Sequence, residues 1–316
     1  MTVEAHAVGE AAGRADRGAA AGAALCLLSA AGFGAMAIFG KLAYDAGVST
    51  LTLLLVRFVL AGLLFGAMLA ATPSLWADAR RGGARALAIG VGLGAVGYAT
   101  QAGLYFAALR RLDASLLSLL LYTFPAWVTL AAFALGRERP TRRRLVSLGL
   151  SSAGLAIVLA GAAGGDVDGL GVVLGLGAAL AYTAYILVAD RVGVTLPPVA
   201  LSGLVCAGAS GTFLVIGLVS GAVDLGFEPA GWLWLALIAA VSTALPITAF
   251  FAGLARVGPS TASILSTFEP VVTVTLAFLA FSERLSVAQL GGAALVLAAA
   301  ALLATPARTR EPVPAA

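Results

Sequence analysis

Residues 105–111 read YFAALRR, and residues 250–256, which lie 145 positions further along the chain, read FFAGLAR. Outward from this stretch the two segments stay aligned at the same offset without a gap. Pro125, for example, meets Pro270. The chain therefore contains the same structural unit twice, and a prediction made for one copy applies to the other.

The composition predicts that both copies lie in a membrane. Hydrophobic residues make up 61% of the chain, charged residues only 11%, and the mean hydropathy is +1.02, whereas soluble domains are about 25% charged. The eighteen arginines fall mostly in short loops, so membrane orientation explains the basic pI better than nucleic-acid binding does. We expect an all-α integral membrane protein whose partners are the lipid bilayer and a small molecule, with no nucleic acid.

Ten segments are long and apolar enough to cross a membrane as helices of about 20 residues. Their predicted limits are 20–43, 50–72, 86–107, 114–135, 145–163, 170–189, 198–220, 232–253, 260–281 and 286–305. Five spans form a first repeat over residues 19–163, and five form a second repeat over residues 169–305. Residues 1–18 are expected to be a disordered cytoplasmic tail, and residues 306–316 a second cytoplasmic tail.

The distribution of arginine predicts the orientation of the chain. With the N-terminus in the cytoplasm, fourteen arginines lie in inside segments and three, Arg110, Arg111 and Arg284, lie outside. This is a strong positive-inside bias, so both termini are predicted to be cytoplasmic. Because each repeat has five spans, the second enters the membrane from the opposite side. The two copies then form an inverted repeat of the kind found in transporters.

Glu269 is an acidic residue near the middle of a span, about ten residues into the ninth. An ionisable group at this depth is costly and marks a functional candidate. Glu269 precedes Pro270, which removes a backbone donor and predicts a helix break, as Pro125 does in the first copy. Two interpretations stay open. Glu269 satisfies groups freed by the break, or it exchanges a proton or binds a substrate amine, since removal from water favours a neutral carboxyl group.

Two basic residues also lie within predicted spans. Lys41 is near the outer end of the first span, from which its ammonium group can reach the interface. Arg57 is about a turn and a half into the second span. Arg57 could bind an acidic substrate group, pair with a helix-end carbonyl or stabilise the fold, and its off-centre position favours the structural role.

Polar and aromatic side chains recur on single faces of several spans. They comprise Tyr98, Gln101 and Tyr105 in the third span, Tyr122 in the fourth, Tyr182 and Tyr185 in the sixth, and Ser263, Ser266 and Glu269 in the ninth. Such stripes predict either the lining of a central cavity or hydrogen bonds between helices. For the tyrosines and Gln101 we favour the cavity, and for any single serine the helix contact.

The run Val56-Arg57-Phe58-Val59-Leu60-Ala61 resembles the second-helix signature of the EamA family, which belongs to the drug/metabolite transporter (DMT) superfamily. The passages from Tyr105 to Arg139 and from Phe250 to Arg284 resemble its repeated motif. The resemblance implies a ten-helix carrier of two EamA units in a bacterial-type inner membrane. Family members move amino acids, other metabolites or drugs, often outward.

The resemblance also implies a cavity among the first, third, fourth, sixth, eighth and ninth spans. It adds to the lining candidates Phe33, Met36, Thr243 and Thr248, and it adds Pro246 as a third helix break. The first copy departs from the second at one central position, where Phe124 stands opposite Glu269. A mechanism that needs two symmetric carboxylates is therefore disfavoured.

We expect a secondary transporter that works by alternating access and exports small amphipathic metabolites, most plausibly amino acids. Transport is proton-coupled if Glu269 has the second of the two roles left open above. An uncoupled facilitator or a multidrug efflux carrier of the same fold is the alternative, and a receptor or scaffold that transports nothing is a remote one. An intramembrane enzyme would need a nucleophile with its base, or metal ligands, at membrane depth. The ten spans contain no histidine, so we expect neither enzymatic activity nor a bound cofactor or metal. A monomer is compatible with the sequence.

Overall fold

In the computed structural model, the backbone is described for residues 2–136, 141–162, 167–192 and 196–304, and side chains are described only from Gly18 onward. All regular secondary structure in these ranges is helical, with turns and loops between the helices and no strand, which confirms the predicted class. Seven stretches, from Gly18–Asp45 to Pro229–Gly258, have the length and hydropathy of membrane spans, and two shorter apolar helices follow them. The predicted tail 306–316, the Glu138-Arg139 dipeptide and the Ser263 side chain lie outside the described part.

In the described residues of the first repeat there are nine α-helices. They are α1 (Thr2–Gly34), α2 (Met36–Asp45), α3 (Thr50–Ala71), α4 (Pro73–Arg81), α5 (Gly83–Gly92), α6 (Ala99–Leu109), α7 (Ala114–Leu121), α8 (Phe124–Ala134) and α9 (Arg142–Ala162). Three spans are built from two helices each: α1 with α2, α5 with α6, and α7 with α8. The short helix α4 follows the second span, and its Trp76 stacks under the guanidinium of Arg80 at 5.0 Å.

The described part of the second repeat contains six α-helices. They are α10 (Gly169–Val192), α11 (Pro198–Ser220), α12 (Pro229–Ala239), α13 (Leu245–Ser266), α14 (Phe268–Phe281) and α15 (Val287–Ala304). Within α13 the chain turns from the eighth to the ninth span at Gly258, whose φ of 77° lies in the left-handed region that glycine tolerates best. All ten predicted spans thus have a helical counterpart.

The helical backbone of α1 begins at Thr2, within the segment that the sequence predicts to be a tail. Alanine is the most frequent residue in this segment and has the highest intrinsic helix propensity, so the first span extends backwards as one continuous helix.

Two helices of the fold widen locally into π-helical turns. These are Leu93–Tyr98 between α5 and α6 and Ala240–Ala244 between α12 and α13. The two segments overlap when the repeats are aligned at the offset of 145 residues. A π turn leaves backbone groups less regularly paired and is frequent at functional sites. The third and eighth spans therefore share the same irregularity at the same place.

The pairing of spans has the symmetry of an exchanged repeat. The second span packs on the seventh (α3 on α11), the fourth on the ninth (α7 on α14) and the fifth on the tenth (α9 on α15). Each of these three pairs joins a span to its own counterpart in the other repeat, so the pair is unchanged when the two repeats are interchanged. The first span packs on the eighth (α1 on α13) and the third on the sixth (α6 on α10), and exchange converts one pair into the other. A pseudo-twofold relation between the repeats explains all five pairs.

The contact between the fifth and tenth spans shows the relation at atomic scale. The Ser147 hydroxyl donates to the carbonyl oxygen of Ala299 at 2.5 Å. At the offset of 145, Ser147 corresponds to Gly292 and Ala299 to Gly154, and these two glycines are also in contact. A Cβ atom on either glycine would come within 2.7 Å of the other's carbonyl oxygen. The two contacts are therefore copies of each other, one polar and one formed by close backbone approach.

Candidate substrate-binding site

Two spans are interrupted at equivalent positions near their centres. In the fourth span α7 ends at Leu121 and α8 begins at Phe124, with Pro125 in its first turn. In the ninth span α13 ends at Ser266 and α14 begins at Phe268, with Pro270 in its first turn. Proline is tolerated in the first turn of a helix but cannot continue the preceding one, so each proline starts a new helix and leaves carbonyls of the old one free.

The first span is also interrupted, although no proline lies there. α1 ends at Gly34 and α2 begins at Met36, and the Thr273 hydroxyl donates to the Gly34 carbonyl oxygen at 3.0 Å. Gly34 packs so closely on the ninth span that a Cβ atom would lie 2.8 Å from the Glu269 carbonyl oxygen. The interruption of the first span thus packs directly against the break of the ninth span.

Pro246 has a different effect from the one we expected. It is the second residue of α13 and follows the π segment, with no interruption of the helix at that point. The equivalent residue of the first repeat is Gln101, and the π segment is present there too. The irregularity is therefore shared by the two repeats, and proline is not its common cause.

A cavity of about 640 Å³ lies between the two repeats, beside these irregular segments. Eleven of the predicted lining residues face it: Phe33, Met36, Tyr98, Gln101, Tyr105, Tyr122, Tyr182, Tyr185, Thr243, Ser266 and Glu269. Pro125 lies in its wall as well. A volume of this size is typical of small-molecule sites.

Two predicted residues lie elsewhere. Thr248 is not part of the wall, because its hydroxyl turns back onto the carbonyl oxygens of Ala244 and Leu245, each at 2.9 Å. Lys41 lies toward the end of the first span and forms an ion pair described below.

The structure adds residues to the wall that spacing alone did not reveal. They include Ser29, Phe106, Phe124, Ser202, Cys206, Ile247, Phe250 and Phe251. One signal could have found Ser202, because it is the counterpart of Arg57 at the offset of 145. The aromatic ones lie in apolar spans where a phenylalanine predicts burial in general and no particular contact.

Aromatic rings form a continuous wall from the second span to the fourth. Neighbouring ring centroids along it are 5.6 Å apart for Phe58 and Tyr98, 5.7 Å for Tyr98 and Tyr185, 6.2 Å for Tyr185 and Tyr182, 4.8 Å for Tyr182 and Phe124, and 6.0 Å for Phe124 and Tyr122. These separations are those of attractive aromatic pairs. Phe124, which replaces an acid in the first repeat, therefore contributes a ring to this wall.

Glu269 lies at one end of the aromatic wall. Its Oε2 is 3.0 Å from the Tyr122 hydroxyl, and the same hydroxyl is 2.7 Å from the carbonyl oxygen of Ser266. Ser266 is the last residue before the break of the ninth span. Tyr122 thus joins the broken fourth span to the broken ninth span at the point where the two repeats differ.

Arg57 lies at the other end, in the wall of the cavity. Its Nε donates to the Thr243 hydroxyl at 3.1 Å, and that hydroxyl donates to the Ile238 carbonyl oxygen at 2.9 Å. Thr243 belongs to the π segment of the eighth span. The position of Arg57 along its helix indicated how deep it lies in the membrane but not which neighbouring spans its side chain faces. The sequence therefore did not predict that Arg57 lines the cavity.

A polar cluster ties three elements together at one end of the molecule. Glu283, which follows α14, accepts hydrogen bonds from the backbone N–H groups of Ala114 and Ser115 at 3.1 and 3.0 Å, and from the Ser115 hydroxyl at 2.9 Å. It also pairs with the Lys41 ammonium group at 2.8 Å. We call this set of Lys41, Ala114, Ser115 and Glu283 the Glu283 cluster.

The charge of Glu283 is favoured by these contacts. Burial by itself would raise the pKa of this carboxyl group, but the Lys41 ammonium group and the α7 amide groups outweigh burial, and the net pKa is lowered. A carboxylate at a helix N-terminus also interacts well with the helix dipole. The Glu283 cluster lies at the end that the sequence predicts to be outside, whereas the cavity wall extends to Pro198, the first residue of α11, at the opposite end.

These features define a membrane transporter of inverted-repeat architecture, and the comparisons with known proteins agree. The EamA-like transporter family model matches residues 20–160 and 169–305, one match for each repeat. The chain belongs to the EamA-like transporter family of the DMT superfamily, as the second-helix and repeat motifs predicted.

Two relatives of this chain are described as transporters. An uncharacterized transporter from Archaeoglobus fulgidus is 28% identical over 281 residues, covering 88% of this chain and 94% of that protein. An uncharacterized transporter from Synechocystis sp. is 30% identical over 191 residues, covering 58% of this chain and 56% of that protein. A solved crystal structure matches with a TM-score of 0.58 at 20% identity, over 87% of this chain and 96% of that one, which shows the shared fold.

Proposed function

We propose that this protein is a secondary transporter that moves small amphipathic metabolites, above all amino acids, by alternating access. The observation that carries the proposal is the cavity between the two repeats, with polar groups at both ends of an aromatic wall. Substrate sites of inverted-repeat carriers lie where broken helices meet at the repeat interface. A wall of this kind suits a molecule with an apolar body and polar ends.

Proton coupling through Glu269 is supported by a count of hydrogens at Tyr122. The phenol has one hydrogen, yet two acceptor groups lie within 3.0 Å of its oxygen. Both contacts are hydrogen bonds at once only if the phenol donates to Ser266 and a protonated Glu269 donates to the phenol. When Glu269 is deprotonated, both groups are acceptors, and the single phenol hydrogen can form a strong hydrogen bond with the carboxylate or with the carbonyl but not with both. Proton loss at Glu269 therefore changes the contact between the fourth and ninth spans.

We also propose that both termini lie in the cytoplasm and that transport across the cytoplasmic membrane is outward. The arginine distribution supports the orientation of the chain. The outward direction is supported by the cavity wall, which reaches Pro198 at the end predicted to face the cytoplasm. A substrate entering from that end would be loaded inside the cell.

Transport by purified protein in proteoliposomes tests the function. We expect efflux or counterflow of at least one amino acid from a panel that also includes amphiphilic cations. Protein that is folded and correctly inserted but transports no member of the panel would count against the proposal.

Substitution of Glu269 tests the coupling. We expect Glu269→Gln to retain binding but to lose the dependence of transport on a pH gradient, because the amide cannot exchange a proton. The initial rate of uptake is measured with and without an imposed gradient. Glu228→Gln provides a matched control on an exposed glutamate, and the coupling proposal fails if both variants keep the wild-type pH dependence.

A multidrug carrier for amphiphilic cations is the second candidate. It is favoured by the same aromatic wall, because tyrosine and phenylalanine rings bind cations through their faces. Glu269 would then hold the cationic group. The charge of the transported compounds distinguishes this candidate from an amino acid carrier.

A further inference from the structure

Arg57 is almost completely buried, with 1% of its surface exposed. Its Nε is satisfied by Thr243 at 3.1 Å, but its Nη2 has no hydrogen-bond partner among the residues that the structure describes. A buried donor without a partner costs about 1–3 kcal/mol, and more when the group is charged. Arg57 also belongs to the cavity wall, so a molecule bound in the cavity would touch this residue, and a rotation of the guanidinium would turn the buried donor toward it.

The charge of Arg57 is also uncompensated. In the described ranges, none of the ion pairs includes Arg57. Arginine at membrane depth is normally paired with an acid or with backbone carbonyls. A negative group brought by the substrate would supply the missing partner. A single guanidinium balances one negative charge, which favours a carboxylate over a phosphate dianion.

The described neighbours of the guanidinium are two aromatic rings and a phenol, none of which carries a negative charge. The rings of Phe58 and Phe106 lie 4.9 and 5.4 Å from the guanidinium carbon and interact with its π face. The Tyr98 phenol lies within hydrogen-bonding reach of Arg57 and also interacts with its charge, but it is a neutral group and does not balance that charge. Gln101, on the next turn from Tyr98, faces the cavity and makes no side-chain hydrogen bond to any described residue. Its amide is a second donor toward a molecule bound in the same cavity.

We propose that Arg57 binds the carboxylate of the substrate through Nη2, with Gln101 assisting, and that this contact selects amphipathic carboxylates over amphiphilic cations. The inference rests on the proposed transport function and narrows it. Arg57 is then a specificity-determining residue, and the structural contact to Thr243 orients its guanidinium toward the cavity.

Binding of three matched probes to purified full-length protein tests the inference. The probes are L-phenylalanine, L-phenylalaninamide, which lacks the carboxylate, and 3-phenylpropanoate, which lacks the amine. A ligand that binds the native state raises the unfolding temperature. We expect L-phenylalanine and 3-phenylpropanoate to raise it and L-phenylalaninamide to do so only at roughly ten- to a hundredfold higher concentration, the range for one charge-assisted hydrogen bond.

Variants of Arg57 separate recognition from a purely structural role. Arg57→Gln should remove the preference for carboxylate over amide, whereas Arg57→Lys should keep part of it. Arg85→Gln, on an exposed arginine of α5, controls for loss of charge elsewhere. The measured quantity is the ratio of affinities for acid and amide, which a general loss of stability does not change.

Several results would overturn the inference. Equal binding of L-phenylalanine and its amide by the wild-type protein would do so whether or not Arg57→Gln folds. An unchanged preference in folded Arg57→Gln would do so as well. Transport of cationic probes alone would overturn the role of Arg57 and leave the transporter intact, whereas failure of all binding and all transport would remove the proposed function itself.

Discussion

At the scale of single residues, Tyr122 and Arg57 carry the polar chemistry of the cavity. Tyr122 places one hydroxyl between the Ser266 carbonyl and Glu269, and Arg57 places one unpaired N–H group in the wall. Both side chains hold an irregular segment of another span. A change at either residue therefore affects both the bound molecule and the helices around it.

Tyr122→Phe should lower the free energy of unfolding by about 1–2 kcal/mol, because the Ser266 carbonyl oxygen and Glu269 lose a shared partner. Tyr185→Phe is the matched control, since no described residue hydrogen-bonds to its hydroxyl, and it should stay within about 0.5 kcal/mol of wild type. Unfolding in detergent measures both. Equal effects of the two substitutions would show that the Tyr122 contacts contribute little.

The candidate site could be predicted only in part, for reasons visible at particular residues. Tyrosines and Gln101 at helical spacing were expected in the cavity wall because polar groups in apolar spans avoid lipid. Arg57 was interpreted as structural because distance along a helix gives depth, whereas the direction of a side chain depends on neighbouring spans. Phe124 was noticed only as the counterpart of Glu269 at the offset of 145; one more apolar residue in an apolar span gave no sign that its ring faces the cavity.

At the scale of elements, close contact between backbones fixes how spans pack. Gly94 in the π segment of the third span lies against the seventh, where a Cβ atom would come 2.1 Å from the Val205 carbonyl oxygen. Gly208 makes the reciprocal approach to the Val91 carbonyl oxygen, also at 2.1 Å. Small residues permit such contacts between membrane helices. The third and seventh spans therefore meet through main chain.

Gly94→Ala should destabilise the protein by more than about 2 kcal/mol, because the new methyl group overlaps a backbone that cannot move independently. Gly92→Ala, two residues earlier, places its methyl group in open space and should be neutral or stabilise the helix by up to about 1 kcal/mol. The yield of folded protein and its unfolding temperature distinguish the two variants. A Gly94→Ala protein as stable as Gly92→Ala would contradict the packing described here.

The spans themselves were predictable, because hydropathy over about 20 residues reports burial in lipid. Their internal breaks were less so. Pro125 and Pro270 predicted two of the interruptions. The break at Ala35 and the two π segments contain no proline and could not be predicted in this way. Those irregularities lie where one helix packs closely against another. The sequence of a single span does not show which other span it packs against, so they could not be predicted from it.

At the scale of the whole molecule, the Glu283 cluster joins the two repeats. It connects α2 and the N-terminus of α7, from the first repeat, to the end of α14 in the second. The glutamate side chain is only 7% exposed, so its interactions are screened less by water than those of a surface pair. This cluster is a link between repeats that titration can test.

Glu283→Gln should cost about 1–3 kcal/mol of unfolding free energy at neutral pH. Because the folded-state pKa is lowered, the stabilisation is complete above the ordinary value of about 4.3 and is lost as the pH falls through the folded-state pKa. The wild-type and variant stabilities should therefore converge in acid. Asp78→Asn, which removes an exposed pair with Arg81, should cost about 0–1 kcal/mol, and a Glu283→Gln effect no larger than this would contradict the burial argument.

The paired contacts of the fifth and tenth spans have a thermodynamic consequence. If the two repeats exchanged conformations, the environment of Ser147 and Ala299 would pass to Gly292 and Gly154, and most other contacts would be replaced by their counterparts. The difference in free energy between the two states would then come only from positions where the copies differ, such as Phe124 and Glu269. Near-degenerate states are both populated when they differ by a few kcal/mol. If the proposed proton coupling and carboxylate binding hold, the protonation of Glu269 and the occupancy of Arg57 would shift the balance between these two states.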